Sequence, residues 1–97
     1  MAGAEQYQAS ARALLTELGD GTGVLLDLDS KFYFTLNETA LFVWKRLVES
    51  EGLAREQLAV ALASAFEVEP GAASADLDSV LELLTRERLV TRAPAAP

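Results

Sequence analysis

The spacing of apolar residues changes along the chain near residue 37. Before that position, three apolar runs at residues 13–18, 24–28 and 32–36 are short, and turns rich in glycine, aspartate and serine separate them. After it, apolar residues recur every three or four positions over longer segments, as they do in amphipathic helices. The order predicts an α+β domain in which three strands precede three helices.

The segment at residues 32–36 is the clearest of the three predicted strands, because its aromatic and β-branched residues fit a pleated, half-buried surface. Alternation gives it two faces, one with Phe32, Phe34 and Leu36 and the other with Lys31, Tyr33 and Thr35. Residues 13–18 are compatible with a helix or a strand. We assign them to a strand because the segment is short and runs into a glycine-rich turn.

Asn37 is predicted to cap the first helix, because its side-chain oxygen can accept a hydrogen bond from a free backbone N–H of the first turn. Glu38 suits the positive end of the helix dipole. One face of this helix is apolar and is expected to be buried until residues 51–52 end the pattern; it consists of Ala40, Trp44, Leu47 and Val48.

The second helix is predicted over residues 55–66, where Leu58, Leu62 and Phe66 follow one another at i+4 spacing. Residues 68–71, with their Pro-Gly pair, should stop it. The third helix is predicted over about residues 73–88. Its apolar stripe consists of Leu77, Val80, Leu81 and Leu84, and the apolar pair Leu89 and Val90 follows.

Composition narrows the possible functions. The chain has 97 residues, 51% of them hydrophobic, which suits one compact domain; we place it at residues 11–92, between flexible tails at 1–10 and 93–97. The formal charge of −7 repels nucleic acid and anionic membranes and favours basic partners. No secretory signal and no apolar run of membrane-spanning length is visible, so a cytoplasmic protein is expected.

Most catalytic and metal sites lack their usual residues in this sequence. Without cysteine or histidine, the common zinc ligands and the thiol nucleophile are absent, and only Lys31 or Lys45 could activate a hydroxyl nucleophile. The glycine-rich residues 19–23 contain no phosphate-loop lysine, and Asp27 and Asp29 lack further oxygen ligands at a calcium-loop spacing. We therefore expect no catalysis, no bound metal and no cofactor.

Several motifs give the chain a family resemblance. The most specific is an aromatic-x-Leu-Asn turn at residues 34–37, followed by an Ala-x-x-x-Trp helix at 40–44. The full set consists of residues 24–27, residues 31–40, Val43, Trp44, Leu47, Asp76, Leu77, Leu81, Leu84, Leu89 and Val90. With these motifs, residues 13–91 resemble the PqqD family, named after pyrroloquinoline quinone biosynthesis protein D. The family is also called the RiPP recognition element, where RiPP denotes a ribosomally synthesised and post-translationally modified peptide.

The resemblance implies a winged-helix-like fold in which a three-stranded antiparallel sheet packs on three helices. It also implies a non-catalytic peptide chaperone that binds the leader segment of a precursor peptide as a fourth strand, in the groove between the third strand and the third helix. On this sequence, the strand edge would consist of Lys31, Phe32, Tyr33, Phe34, Thr35 and Leu36. The helix wall would consist of Asp76, Val80, Leu83 and Leu84. Helical spacing would direct Leu77 and Leu81 to the core and leave Val80 and Leu83 to meet the leader.

The implied partners are the precursor peptide and a modifying enzyme, such as a radical-SAM maturase or a leader protease, with the protein itself a monomer or a homodimer. One alternative is a winged-helix-like nucleic-acid-binding or regulatory domain. Its recognition helix would need basic residues, and the second and third helices offer only Arg55, Arg86 and Arg88 among more numerous acids. Another alternative is a structural dimerisation module whose strand edge pairs with its own copy.

Overall fold

The computed structural model describes residues 5–50 and 52–94. Within them it contains six strands and three helices. The strands are β1 (Glu5–Ala9), β2 (Ala13–Glu17), β3 (Gly23–Asp27), β4 (Tyr33–Leu36), β5 (Leu53–Ala54) and β6 (Val90–Pro94). The helices are α1 (Glu38–Val48), α2 (Arg55–Phe66) and α3 (Pro70–Arg86).

The strands form two antiparallel sheets of three strands each. The first has the order β2-β3-β4, so the three strands predicted from the apolar runs are consecutive neighbours in one sheet. Leu25 lies at its centre, opposite Leu15 on one side and Phe34 on the other, and is fully buried. The second sheet has the order β5-β1-β6 and joins the two ends of the described chain.

The second sheet corrects the expectation of loose tails. Residues 5–9 were expected in a tail, but they form β1, which pairs with β5 on one side and with β6 on the other. Their polar composition hides a short alternation in which Tyr7 and Ala9 pack against the core. At the other end, residues 93–94 belong to β6 rather than to a tail. Ser10, also expected in the tail, donates its backbone N–H to the carbonyl oxygen of Leu89 at 2.8 Å. Residues 1–4 and 95–97 lie outside the described residues.

Phe32 differs from its predicted place on the buried face of the third strand. Alternation holds for Phe34 and Leu36, which are half-buried and buried, whereas Phe32 is 67% exposed and precedes the first residue of β4. The cause lies in the turn before the strand, where Lys31 has a φ of 69°. This left-handed conformation redirects the chain just before Phe32, so the strand periodicity starts one residue later.

Helix α1 begins as predicted at the Asn37 cap, where Asn37 Oδ1 accepts a hydrogen bond from the backbone N–H of Ala40 at 2.8 Å. Trp44 and Leu47 are buried in the core, as the apolar stripe predicts. Val48 was also expected to be buried but is 57% exposed. It is the last residue of the helix and lies at the mouth of an open groove beside β2, so part of its side chain stays in solvent.

The other two helices complete the core. Helix α2 has the predicted bounds, and Gln57 Oε1 accepts a hydrogen bond from the backbone N–H of Ala54 at 2.8 Å where the helix begins. Helix α3 begins at Pro70, three residues earlier than predicted, because a proline at the first helical position loses no hydrogen bond. Leu77, Leu81 and Leu84 of its apolar stripe are buried as predicted. Val80 is buried as well, although helical spacing would leave it to meet the leader. Among the described residues, no helix has both the length and the apolar content to cross a bilayer.

One ion pair connects α2 with α3. Arg55 Nε donates to Asp78 Oδ1 at 2.6 Å, and Arg55 Nη2 donates to the carbonyl oxygen of Ser74 at 3.3 Å and to its hydroxyl. The hydrogen bond from the Arg55 side chain holds the pKa of Asp78 below its usual value. Ion pairing between the helices is therefore strongest when Asp78 is ionised.

Asn37→Ala should lower the free energy of unfolding by about 1 kcal/mol, because the first turn of α1 loses its side-chain acceptor. Urea denaturation monitored by circular dichroism measures the change. Asn37→Asp is the control, since it keeps an acceptor oxygen at the same position. Equal losses in the two variants would contradict a capping role.

Asp78→Asn should destabilise the protein at pH 7, and the difference from the wild type should narrow as the pH falls below 3.8, the ordinary pKa of the aspartate side chain. A carboxylate whose folded pKa is lowered stabilises the fold above its unfolded pKa, and this contribution is lost as it becomes protonated. Denaturation across that range measures it. Asp76→Asn is the control, because it removes an exposed charge from the same helix, and its effect on the free energy of unfolding should depend little on pH. If the effect of both variants changes with pH in the same way, the ion pair is not the cause of the pH dependence.

Candidate functional site

The outer edge of β4 presents unpaired backbone groups. Within residues 5–50 and 52–94, β3 is the only strand that pairs with β4. The backbone N–H of Asp27 donates to the carbonyl oxygen of Phe32 at 2.9 Å, so Phe32 turns its backbone toward β3. Residues of an antiparallel strand alternate in this respect, so Tyr33 and Thr35 direct their N–H and C=O groups to the open edge.

The side chains of β4 divide between the core and the solvent. Leu36 is buried and Phe34 packs against the core, whereas Tyr33 is 71% exposed and Thr35 is exposed as well. The exposed ring of Phe32 and the exposed side chain of Lys31 precede the strand. The open edge therefore combines free main-chain groups with two aromatic rings that are largely in solvent.

A groove of about 500 Å³ separates the start of β4 from the C-terminal end of α3. Phe32 and Phe34 line it on the strand side. The remaining lining residues are Ser10, Asp27, Asp29, Ser30, Arg86, Glu87 and Arg88. The structure thus brings the predicted aromatic strand together with the end of the predicted helix.

The four residues predicted for the helix wall occupy different environments. Leu83 is half-buried and keeps some apolar surface near the end of α3. Val80 and Leu84 are buried in the core and support the wall from behind. Asp76 is exposed and lies ten positions before Arg86, roughly 15 Å along the helix axis. None of these four residues lines the groove itself, and Leu83 is the one that keeps exposed apolar surface within one turn of Arg86.

The rim of the groove carries charges of both signs. Arg12 Nε lies 2.6 Å from Asp29 Oδ1 in an ion pair. The backbone N–H of Asp29 donates to Asp27 Oδ1 at 2.9 Å. This backbone hydrogen bond is the main reason that the pKa of Asp27 lies below its usual value. On the other wall, Arg86 lies 3.8 Å from Glu87.

The rim residues Arg86, Glu87 and Arg88 were not predicted from the sequence to belong to the site. Arg88 has a φ of 62°, which turns the chain after α3 and places residues 86–88 opposite the start of β4. The predicted end of the third helix at residue 88 could have identified them, because the last turn of a helix that packs on a sheet borders the neighbouring strand. The spacing of apolar residues identifies the buried face of a helix, but it does not identify the strand that lies opposite the end of that helix.

The groove contains groups that can bind a peptide. Within the described chain, no cluster of three or more carboxylates is close enough to hold a metal ion. The groove and the β4 edge beside it offer main-chain donors and acceptors, apolar surface at Phe32 and Phe34, and a rim of mixed charge. This arrangement suits an extended peptide, which can pair with a strand edge through its own backbone.

The sequence was compared with models of known protein families and with curated protein sequences. The model of the family described as coenzyme PQQ synthesis protein D (PqqD) matches residues 22–90. The matched region contains β3, β4 and the three helices, whereas β1 and β2 precede it. No curated protein sequence matches the chain.

Three solved structures have similar folds. TbiB1 in complex with the TbiA(beta) leader peptide has a TM-score of 0.73 and 24% identity, with coverage of 86% of this chain and 93% of that chain. Lasso peptide synthetase B1 complexed with the leader peptide has a TM-score of 0.70 and 26% identity, over 88% of this chain and 96% of that chain. The PqqD truncation of Methylobacterium extorquens PqqCD, described as a functional and stand-alone RiPP recognition element, has a TM-score of 0.69 and 22% identity, over 90% and 89%.

Proposed function

Since this chain belongs to the PqqD family, we propose that it is a RiPP recognition element: a non-catalytic domain that binds the leader segment of a precursor peptide and delivers it to a modifying enzyme. The observation that carries the proposal is the open edge of β4 beside the end of α3. Two proteins of similar fold are described in complex with a leader peptide. Their likeness supports the same class of ligand for this chain.

Backbone pairing supplies the sequence-independent part of the binding. Tyr33 and Thr35 each offer one N–H donor and one C=O acceptor at the edge, in register for an extended chain. Each hydrogen bond contributes a net stabilisation of about 0.5–1.5 kcal/mol. A peptide that pairs with both residues is therefore oriented along β4 before any side-chain contact is made.

Side-chain contacts supply the selectivity. Alternate residues of an added strand point to opposite faces of the sheet, so one set faces the groove and the other faces solvent beside the Tyr33 ring. In the groove, Phe32 and Phe34 provide the apolar contacts, and the half-buried Leu83 precedes the α3 wall by one helical turn. The buried residues Leu36, Val80 and Leu84 act indirectly, because they fix the strand and the helix at their separation.

Electrostatics favours a leader with basic residues. The formal charge of −7 attracts cationic segments from a distance, and this attraction weakens as salt screens it. The arginines at the rim of the groove admit acidic side chains locally. We therefore expect salt to slow association with a basic leader more than it changes the contacts in the bound complex.

The proposal extends to the setting of the domain. The recognition domain begins at residue 5 rather than at residue 11, because β1 completes the second sheet. The partner enzyme of the domain is a radical-SAM maturase or a leader protease. The domain acts in the cytoplasm, where precursors are synthesised, and functions as a monomer or a homodimer. No residue of the groove is assigned a catalytic role.

Calorimetric titration with the leader of a precursor encoded beside this protein should give saturable binding with one peptide per chain. Amide hydrogen exchange should show protection of Tyr33 and Thr35 in the complex, because their N–H groups acquire acceptors. Absence of binding to every neighbouring precursor, or protection that leaves β4 unchanged, would contradict the proposed function.

Tyr33→Pro should weaken leader binding by at least about tenfold, since proline removes the N–H at the open edge and places a ring against the incoming chain. The β3-β4 ladder keeps its hydrogen bonds, because the Tyr33 backbone points away from β3. Calorimetry measures the loss, and circular dichroism verifies the fold. Tyr33→Ala is the matched control: it keeps the N–H, and a loss as large as that of the proline variant would assign the effect to the ring instead.

Leu83→Gln should weaken leader binding about three- to tenfold, because the half-buried apolar surface of α3 one turn before Arg86 is replaced by a polar group. Val60→Gln makes a comparable change on α2, where Val60 is 71% exposed and lies outside the groove. The control should bind like the wild type. If both variants bind equally well, the leader does not contact the wall of α3.

A further inference from the structure

The first sheet has a second open edge, at β2. Among the described residues, β3 is the only strand paired with β2. The carbonyl oxygen of Arg12 accepts from the N–H of Leu28 at 2.9 Å, and the N–H of Leu18 donates to the carbonyl oxygen of Thr22 at 3.0 Å. These two bonds set the alternation, so the even-numbered residues of β2 bond to β3. Ala13, Leu15 and Glu17 therefore direct their N–H and C=O groups outward.

An apolar groove of about 320 Å³ accompanies this edge. It lies between β2 and the C-terminal half of α1, with the buried Trp44 contributing to its wall. Leu14 is 55% exposed and Val48 is 57% exposed, and both line the groove. An open strand edge beside an apolar groove is the arrangement that accepts an added strand.

Strand β2 lacks the features that usually protect a sheet edge. Natural edges carry lysines, prolines, bulges or inward charges that prevent pairing with another chain. The sequence of β2, Ala-Leu-Leu-Thr-Glu, contains neither lysine nor proline, and its pairing with β3 runs through five consecutive residues without a bulge. Its one charge, Glu17, lies at the end of the strand and pairs with Lys45 at 3.1 Å.

Charge and size distinguish between the possible occupants. Two charged residues line the groove, Lys45 and Glu49. Lys45 is paired with Glu17, whereas Glu49 forms no ion pair within the described part of the chain, so a basic side chain can complement Glu49. A second copy would bring another formal charge of −7 to the same edge. The groove is lined by seven residues, whereas a stable protein interface uses about 20–30 residues a side. A short basic segment of a different protein fits better than a second copy.

We propose that the β2 edge is a docking site for an extended segment of a partner protein, in which apolar and polar residues alternate and a basic residue lies level with Glu49. That this partner is the modifying enzyme rests on the proposed function. The β2 edge precedes the region matched by the family model and lies on the opposite side of the sheet from β4. Two added strands would lie roughly 19 Å apart across the sheet, at four strand spacings.

The test uses the full chain and a synthetic nine-residue peptide in which valine and threonine alternate between two terminal lysines. Amide hydrogen exchange should show at least about tenfold protection at Ala13, Leu15 and Glu17 when the peptide is bound. A peptide with glutamate in place of both lysines should bind at least about tenfold more weakly. Absence of saturable binding, or protection at Tyr33 and Thr35 alone, would overturn the proposal.

Val48→Lys should weaken binding of the lysine peptide by about tenfold, because it adds a like charge to the groove and removes apolar surface. Val60→Lys is the matched control, since it makes the same change at an exposed position outside the groove, and it should have no effect. Equal effects of the two variants would overturn the site. Protection at β2 that rises with protein concentration, without peptide, would assign the edge to a second copy and also overturn it.

Leader binding separates this proposal from the proposed function. Val48→Lys should bind the leader like the wild type, because Val48 does not line the groove beside β4. If the leader fails to bind while the lysine peptide still protects β2, the proposed function falls and the β2 site stands. If the leader binds and the peptide does not, only the β2 site falls.

Discussion

Pairing of β3 with a strand on each side is the constraint on which the candidate binding surface depends. The central strand uses its odd-numbered residues to bond β4 and its even-numbered residues to bond β2, so both outer strands have one satisfied side and one open side. Leu25 anchors this arrangement because it is fully buried between Leu15 and Phe34. The hydrogen bonds of β3 therefore determine which backbone groups of β2 and β4 are left to face an incoming chain.

The helices determine what lies beside each edge. The Asn37 cap starts α1 immediately after β4, so the strand ends at a fixed place and Trp44 reaches the core. The end of α3 borders the β4 groove, and the end of α1 borders the β2 groove. The β4 groove carries arginines and acids, whereas the β2 groove is mainly apolar, with Glu49 and the paired Lys45 as its charged residues. One sheet thus offers two edges of different chemistry, and this difference can keep two extended ligands apart.

Local signals account for most of what the sequence predicted. The aromatic strand, the Asn37 cap and the bounds of α2 follow from residues close together in the chain, and the structure agrees. Strand β1 could not be predicted in this way, because its ladder with β6 joins residues 5–9 to residues 90–94. The exposure of Phe32 depends on the left-handed turn at Lys31, a backbone conformation that is uncommon for lysine. The β4 edge was predictable, but its rim at residues 86–88 depends on where two distant elements meet.

The position of β1 between β5 and β6 sets the order in which the molecule can be assembled. Its five-residue ladder with β6 needs residues 90–94, so during translation this ladder cannot close until those residues have left the ribosome. The β2-β3-β4 meander needs only its immediate neighbours in sequence, and such local contacts carry a smaller loop-closure entropy. The open edge of β4 can therefore take shape early in synthesis, whereas its α3 wall at residues 86–88 and the ladder between residues 5–9 and 90–94 form later.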